Sequence, residues 1–480
     1  MSRTVALLLL TTLLGCAGAD AHVVAECVPT GPPVLLRAPL GRERPMGFGV
    51  LDGQLLLLHA EALESVESPA WRIVASWHSM DGTLLAEPED LGVSKLAIRT
   101  RLLARDGALH GQLWVDPASN IPAREPDEVL AMWEFGAPGE HMRHRVRLPV
   151  SRTPVCVACG RASLAFSGGG LDAGGGRLPA ALTSIAVASA ISGVPFECMS
   201  TRAYYRPWVF TAEGGAMVQW WEDERTCALH DWDVQASNVE LVTLDGEFDL
   251  GLLMRLGTGG PYGNVHYVRL HDGVPVGRPR RVGGTWTHFT VGAGYQPEAT
   301  RVGRHILFQE RSERTTNGCQ VLRRIDFDGH GGAETPWQLR CRHHDSFYTA
   351  ASELESLPVD VGRAGELGAM VYAERTSWSG ASAAYLTPLT SNVAFDEGIY
   401  LTLLDESGRR ASDIVRVTVE QSTALPDVPR TPTSGPTPSD FSQIATATEG
   451  SSIYVLWTDR RPDAPGRYVR RFDCAPAGRP

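Results

Sequence analysis

The 480-residue chain predicts an all-β fold, on three observations. Short β-branched and aromatic runs recur along its length, and Asp-Gly and other glycine-centred turns punctuate them. The chain holds 50 Gly and 32 Pro against 21 % charged residues, a composition of many short strands and many turns. Long helical patterns are scarce.

The clearest unit is the last, Ser451-Ser-Ile-Tyr-Val-Leu-Trp-Thr-Asp-Arg-Arg461. Ile453 to Trp457 suits a buried strand, and Asp459-Arg460 closes it at the water-facing end. A loop with Pro462, Pro465 and Gly466 returns the chain into Tyr468 to Phe472, so the unit reads as a hairpin. Upstream the same grammar recurs. Val34-Leu-Leu-Arg37 is extended; Gly47 to Asp52 turns into Gln54-Leu-Leu-Leu-Leu-His-Ala-Glu61; Trp71 to Trp77 turns at Asp81-Gly82. Further hairpins turn near Asp106-Gly107, Asp245-Gly246, Asp272-Gly273, Asp328-Gly329 and Asp405 to Gly408. Residues 156 to 198 are the least regular, with glycine-rich loop at 168–176 and a stretch from Leu182 to Val194 ambiguous between strand and helix.

Such repetition predicts a β-propeller of four-stranded blades. Turn landmarks near Gly53, Gly107, Gly169, Gly214, Gly246, Gly303, Gly365 and Gly450 lie mostly about 45 to 85 residues apart. Gly214 and Gly246 are too close for a full blade, so merging them gives about seven blades, with six or eight open; a two-sheet β-sandwich is the structural alternative. The final hairpin lacks a fourth strand and Val34 to Arg37 lacks a partner. Docking one on the other closes the ring and brings Cys27 to Cys474.

At the N-terminus, Met1-Ser-Arg3 precedes an apolar run from Val5 to Leu14 that is too short for a permanent membrane span. Its end, Leu13-Leu14-Gly15-Cys16, resembles a bacterial lipoprotein signal. The resemblance implies cleavage before Cys16 and lipidation of its thiol, with palmitate on the mature terminus; Ala17 in the next position implies outer-membrane sorting. The expected organisation is a signal peptide at 1–15, a tether at 16–32 and a propeller at 33–480 closed by the N-terminal strand. Of nine cysteines, eight remain beside Cys16, and in an exported chain these favour disulfides. Besides Cys27 and Cys474, Cys198 and Cys227 flank one candidate strand pair and Cys319 and Cys341 another, while Cys156 and Cys159 form a close pair in a turn context unlike a redox motif.

Strand ends repeat an aromatic, a spacer, a carboxylate and an arginine: Phe308-Gln-Glu310-Arg311, Tyr372-Ala-Glu374-Arg375 and Trp457-Thr-Asp459-Arg460. These resemble the Trp-x-Asp-x-Arg type repeats of secreted bacterial propellers. The carboxylates and arginines form a candidate ring around the funnel, and their repetition argues for structure, since a catalytic site needs different residues in different roles. A sialidase-like glycosidase is the enzyme alternative. Tyr204, Tyr205, Arg206 and Tyr262 are available to it, but no Ser-x-Asp-x-Gly-x-x-Trp box and no Arg-Ile-Pro segment occur. Asp326-Phe-Asp328-Gly329 reads as a hairpin turn rather than a calcium loop, and His343-His344-Asp345 and His230-Asp231 read as solvated loop. No cofactor or metal is implied, and no catalytic residue is assigned.

A net charge of −11 disfavours nucleic acid as a partner. The expected protein is a lipid-anchored outer-membrane propeller that acts as a binding or scaffolding module. Its partners are the membrane, through the anchor, and a protein or glycan ligand; a carbohydrate-active enzyme and a subunit of an envelope assembly complex are the alternatives.

Overall fold

The computed structural model describes residues 24–37, 43–63, 70–94, 102–105, 107–113, 130–146, 162–166, 185–192, 205–211, 214–217, 234–244, 249–258, 262–271, 274–277, 279–287, 299–311, 320–338, 352–357, 359, 366–374, 398–418, 441–459 and 465–477. Among them lie thirty strands in seven antiparallel sheets and no helix.

Two short strands, β1 (Ala25–Pro29) and β2 (Val34–Arg37), precede the first complete blade. Blade 1 is β3 (Glu43–Leu51), β4 (Gln54–Leu63), β5 (Ala70–His78) and β6 (Glu89–Ser94). Blade 2 is β7 (Leu103–Arg105), β8 (Ala108–Leu113), β9 (Leu130–Phe135) and β10 (His141–Val146). Blade 3 is β11 (Ala162–Phe166), β12 (Ile185–Ser192), β13 (Tyr205–Thr211) and β14 (Gly214–Met217), so the ambiguous stretch is a strand. Blade 4 is β15 (Val234–Thr243), β16 (Asp249–Thr258) and β17 (Tyr262–His271), with its outer edge shared by β18 (Val274–Pro275) and β19 (Arg280–Thr287). Blade 5 is β20 (Ala299–Val302), β21 (His305–Arg311), β22 (Gln320–Asp326) and β23 (Gly331–Gln338). Blade 6 is β24 (Ser352–Leu357), β25 (Leu367–Glu374), β26 (Gly398–Leu404) and β27 (Val415–Arg416). Blade 7 is β28 (Phe441–Glu449), β29 (Ser452–Asp459) and β30 (Gly466–Pro476).

First strands touch in cyclic order, β28 on β3, β3 on β7 and β8, β11 on β8 and β15, β20 on β15 and β24, and β24 on β28. The ring is therefore a closed seven-bladed β-propeller rather than a two-layer sandwich. Gly214 belongs to the outer hairpin of blade 3, whereas Gly53, Gly107, Gly303 and Gly450 turn from first to second strand, which explains why merging two landmarks leaves seven.

Both N-terminal strands pair with β30 and complete blade 7: β1 along its second half, with Cys27 opposite Cys474, and β2 along its first, with Arg37 opposite Arg467. The segment expected as tether thus contributes a strand of its own at Ala25–Pro29. A disulfide joins Cys27 to Cys474. The other three cysteine pairs and Cys16 lie outside the described residues.

Alternation within one strand packs blade on blade. Leu55 and Leu57 of β4 enter a cluster with Tyr454, Leu456 and Val469 of blade 7, while Leu56, Leu58 and Ala60 face Trp133 and Phe135 of blade 2. All five are fully buried, so β4 reads as continuously apolar instead of alternating. The outer turns repeat as well. In Ser79–Thr83, Asp326–His330 and Asp405–Arg409 an Asp Oδ1 accepts backbone N–H groups across the turn, from Thr83, from Asp328 and His330, and from Ser407 and Arg409. Asp326 therefore spends its carboxylate on its own hairpin.

Candidate functional site

The aromatic of each repeated strand end is core. Phe308, Tyr372 and Trp457 are 0, 3 and 2 % exposed, and each packs toward the preceding blade. Tyr372 stacks on Tyr400 and Trp457 on Tyr468, both across the second and third strands. Two residues on, Glu310, Glu374 and Asp459 occupy the same topological place in blades 5, 6 and 7, where the second strand ends. Asp459 is 1 % exposed. Of the side chains of Glu310, Arg311, Glu374, Arg375 and Arg460 nothing is described.

Blade 1 carries the same pattern in altered form, His59-Ala60-Glu61, and here the side chains form the most concentrated polar group among the described residues. His59 lies in phase with Leu55 and Leu57 and so faces blade 7. Glu43 opens β3 directly opposite Glu61. Arg37 reaches in from the end of β2, and Arg467 from the start of β30. Arg37 Nη1 is 2.7 Å from His59 Nε2, and its Nη2 donates to Glu43 Oε1 at 2.7 Å and to Glu61 Oε1 at 3.1 Å. His59 Nε2 is also 3.2 Å from Glu61 Oε1, and Arg467 Nη1 is 3.5 Å from Glu43 Oε2. The His59 and Arg467 side chains are fully buried.

These distances assign the imidazole. Nε2 serves one partner at a time, accepting from Arg37 or donating to Glu61, and the shorter Arg37 contact puts the lone pair on Nε2 and the proton on Nδ1. Burial, then the charges of Arg37 and Arg467, hold the His59 pKa down at about 4, so the ring is neutral at pH 7. Burial pushes the Glu61 carboxyl up, but the Arg37 guanidinium, which donates to it and carries the positive charge beside it, outweighs this and leaves its pKa lowered.

One candidate ligand atom each from Glu43, His59 and Glu61 lies within 4.8 Å of the others, a spacing that would suit a divalent cation. The Arg37 guanidinium takes that place, touching all three residues. It also lies between the two carboxylates that an acid–nucleophile pair would need. The arrangement ties the closing blade to the first blade by charge, as the leucines of β4 do by packing.

Sequence reasoning missed this group. The signal within reach was His59-Ala60-Glu61 standing in register with the aromatic-x-carboxylate repeat; the convergence of Arg37 and Arg467 upon it depends on ring closure.

Further polar ties cross between blades. Arg301 pairs with Glu366 at 2.6 Å and His141 with Glu89 at 2.6 Å, and on the junction that holds His59 the Gly53 N–H also donates to Glu449 at 3.0 Å. The Tyr267 hydroxyl, whose pKa burial raises, donates to Phe327 O at 2.7 Å between blades 4 and 5. On the same junction Arg269, held within blade 4 by Asp249, pairs with Asp328 of blade 5.

Ring, velcro closure and inter-blade ties define the class, a β-propeller closed by its own N-terminal strands. No protein-family model matches the sequence, and neither does the sequence of any curated protein. Solved propellers resemble it at low identity. A sialidase from Trypanosoma rangeli, in complex with sialic acid, has 7 % identity and a TM-score of 0.36 over 94 % of this chain and 58 % of its own, so the chain spans little more than half of that protein's length. The propeller domain of the trilobed protease from Pyrococcus furiosus, described as having an open velcro topology, has 7 % identity and a TM-score of 0.40 over 91 and 95 %. An α-L-arabinofuranosidase from Fusarium graminearum has 11 % identity and a TM-score of 0.39 over 92 and 98 %.

Proposed function

We propose that the protein is a lipid-anchored propeller of the cell envelope, held in the outer membrane through Cys16, that serves as a rigid binding or scaffolding module. The observation that carries this reading is the use made of its charged groups. Glu43, His59 and Glu61 converge, and an arginine of the same chain fills the point of convergence. Dissimilar charged residues are thereby committed to holding the ring shut, which yields a stiff platform from which the inter-strand loops project. The lipoprotein signal ending at Cys16 supports the anchor.

Two measurements on the full chain test it. Cys16→Ser should move the protein from the membrane to the soluble fraction and abolish palmitate labelling; unchanged association with labelling intact would refute the anchor. Incubation with neutral and sialylated oligosaccharides should leave them uncleaved. Turnover that survives Arg37→Ala but is lost in Glu61→Gln would favour the carbohydrate-active alternative.

A further inference from the structure

The N-terminal exit and the polar junction sit at opposite ends of the closing blade. At one end β1 starts with Ala25 opposite Pro476, and the Cys474 N–H donates to Ser451 O, which puts the start of β1 level with the Gly450 turn. Val24 is fixed there, its N–H donating to Ala411 O and its carbonyl accepting from Ala477 N–H, both at 2.9 Å. At the other end β29 finishes at Asp459 opposite Gly466, beside Arg467 and the group around His59.

Eight residue-to-residue steps separate Cys16 from Val24, and they span at most ~29 Å whatever path they take. The eight residues of β29 alone rise ~26 Å. For the His59 end to lie on the bilayer, the whole tether would have to run back along the closing blade. The turn end also carries an exposed apolar side chain that suits a lipid surface, Val28 on β1, opposite Asp473 and 51 % exposed.

We infer that the propeller sits with the turn face of blades 7 and 1 against the lipid surface, and with the opposite rim, where second strands end, directed away from the membrane. The partner-binding face is then that distal rim. This rests on the acylation of Cys16 proposed above.

Donor dyes placed through an azido amino acid at Ser451, on the turn face, or at Pro465, on the distal rim, leave every cysteine intact. The full lipoprotein is reconstituted in phosphatidylcholine vesicles that carry an acceptor-labelled lipid. The ~26 Å rise between the sites should give at least about twofold more energy transfer from Ser451 than from Pro465. Equal or reversed transfer from vesicle-bound protein would overturn the orientation while leaving the anchor in place. Protein that stays off the vesicles, with no transfer from either site, would remove the anchor and this inference with it.

Discussion

Arg37 Nη1 lies 2.7 Å from His59 Nε2, so an arginine at the end of an N-terminal strand caps a histidine buried in the first blade. The same guanidinium holds Glu43 and Glu61, and its removal leaves two carboxylates beside a buried imidazole. Because Arg37 keeps 29 % of its side-chain exposure, solvent screens part of the loss, and Arg37→Ala should cost ~1–3 kcal/mol. Arg37→Lys should recover only part of this, since an ammonium cannot fork between three partners. Urea unfolding of the three proteins at pH 7 checks it, and equal midpoints would show that the cluster contributes nothing to closure.

Acid should loosen this junction. His59 has a folded pKa of about 4, below its unfolded value of ~6.5, so the unfolded chain binds more protons between those values. Stability is full above that window and falls as pH drops through it, by on the order of 2–3 kcal/mol. Glu61, with its pKa also lowered, adds to the loss on further acidification. The urea midpoint should fall between pH 7 and pH 4.5, and His59→Gln should flatten the upper part of that dependence. An identical slope in the variant would remove His59 from the titration.

The Cys27–Cys474 bridge spans 447 residues. A cross-link over so long a loop restricts the unfolded chain by up to ~6 kcal/mol on the chain-entropy account. Strand pairing of β1 and β2 with β30 and the Arg37 group are independent clasps, so Cys27→Ser with Cys474→Ser should lower the unfolding midpoint steeply while far-UV circular dichroism at 25 °C stays that of the native sheet. A non-reducing peptide map of the wild type should recover the two cysteines in one linked peptide pair.

Much of this architecture was legible because each of its signals is local. The Asp-Gly turns, the apolar run Leu55 to Leu58 and the missing fourth strand after Phe472 all lie within a few residues of what they specify. Closure by Val34 to Arg37 followed from counting strands, since a ring cannot leave an open edge. The extra strand Ala25–Pro29 escaped notice because Ala-Glu-Cys-Val-Pro has neither alternation nor length to mark it; its partner, the unusually long β30, supplies the register. The group at His59 was invisible for a different reason. Arg467 and Glu43 are 424 positions apart in the chain and meet only when the last blade reaches the first.

At the repeated strand ends the aromatic is inter-blade core, and the following carboxylate ends a buried strand. Glu310→Gln and Glu374→Gln, at the strand position that Asp459 occupies in blade 7, where it is 1 % exposed, should cost ~1–3 kcal/mol each, the usual loss when a buried acceptor is mismatched. Trp457→Ala should cost ~3–5 kcal/mol through the cavity it opens against blade 6. A glutamine variant as stable as wild type that had lost a ligand would reassign these carboxylates to binding.

The turn at Gly82 offers a probe of how the N-terminal strand is seated. Gly82 has φ +87, and an added Cβ would stand 2.6 Å from Leu35 O and 2.9 Å from Val34 Cγ1, so the turn of blade 1 presses directly on β2. Gly107, at φ +75 in the first-to-second-strand turn of blade 2, has nothing within 4 Å of the same atom. Gly107→Ala should therefore cost only the left-handed penalty of ~1–2 kcal/mol. Gly82→Ala must also displace the Leu35 backbone, and its stability loss should be larger, ~2–4 kcal/mol. Amide exchange should accelerate at residues 34–37 in Gly82→Ala and stay unchanged there in Gly107→Ala, because only the first substitution pushes β2 off β30. Equal losses and equal exchange in the two variants would mean that β2 is not pinned from its outer side, and that its pairing with β30 alone holds Arg37 in reach of His59.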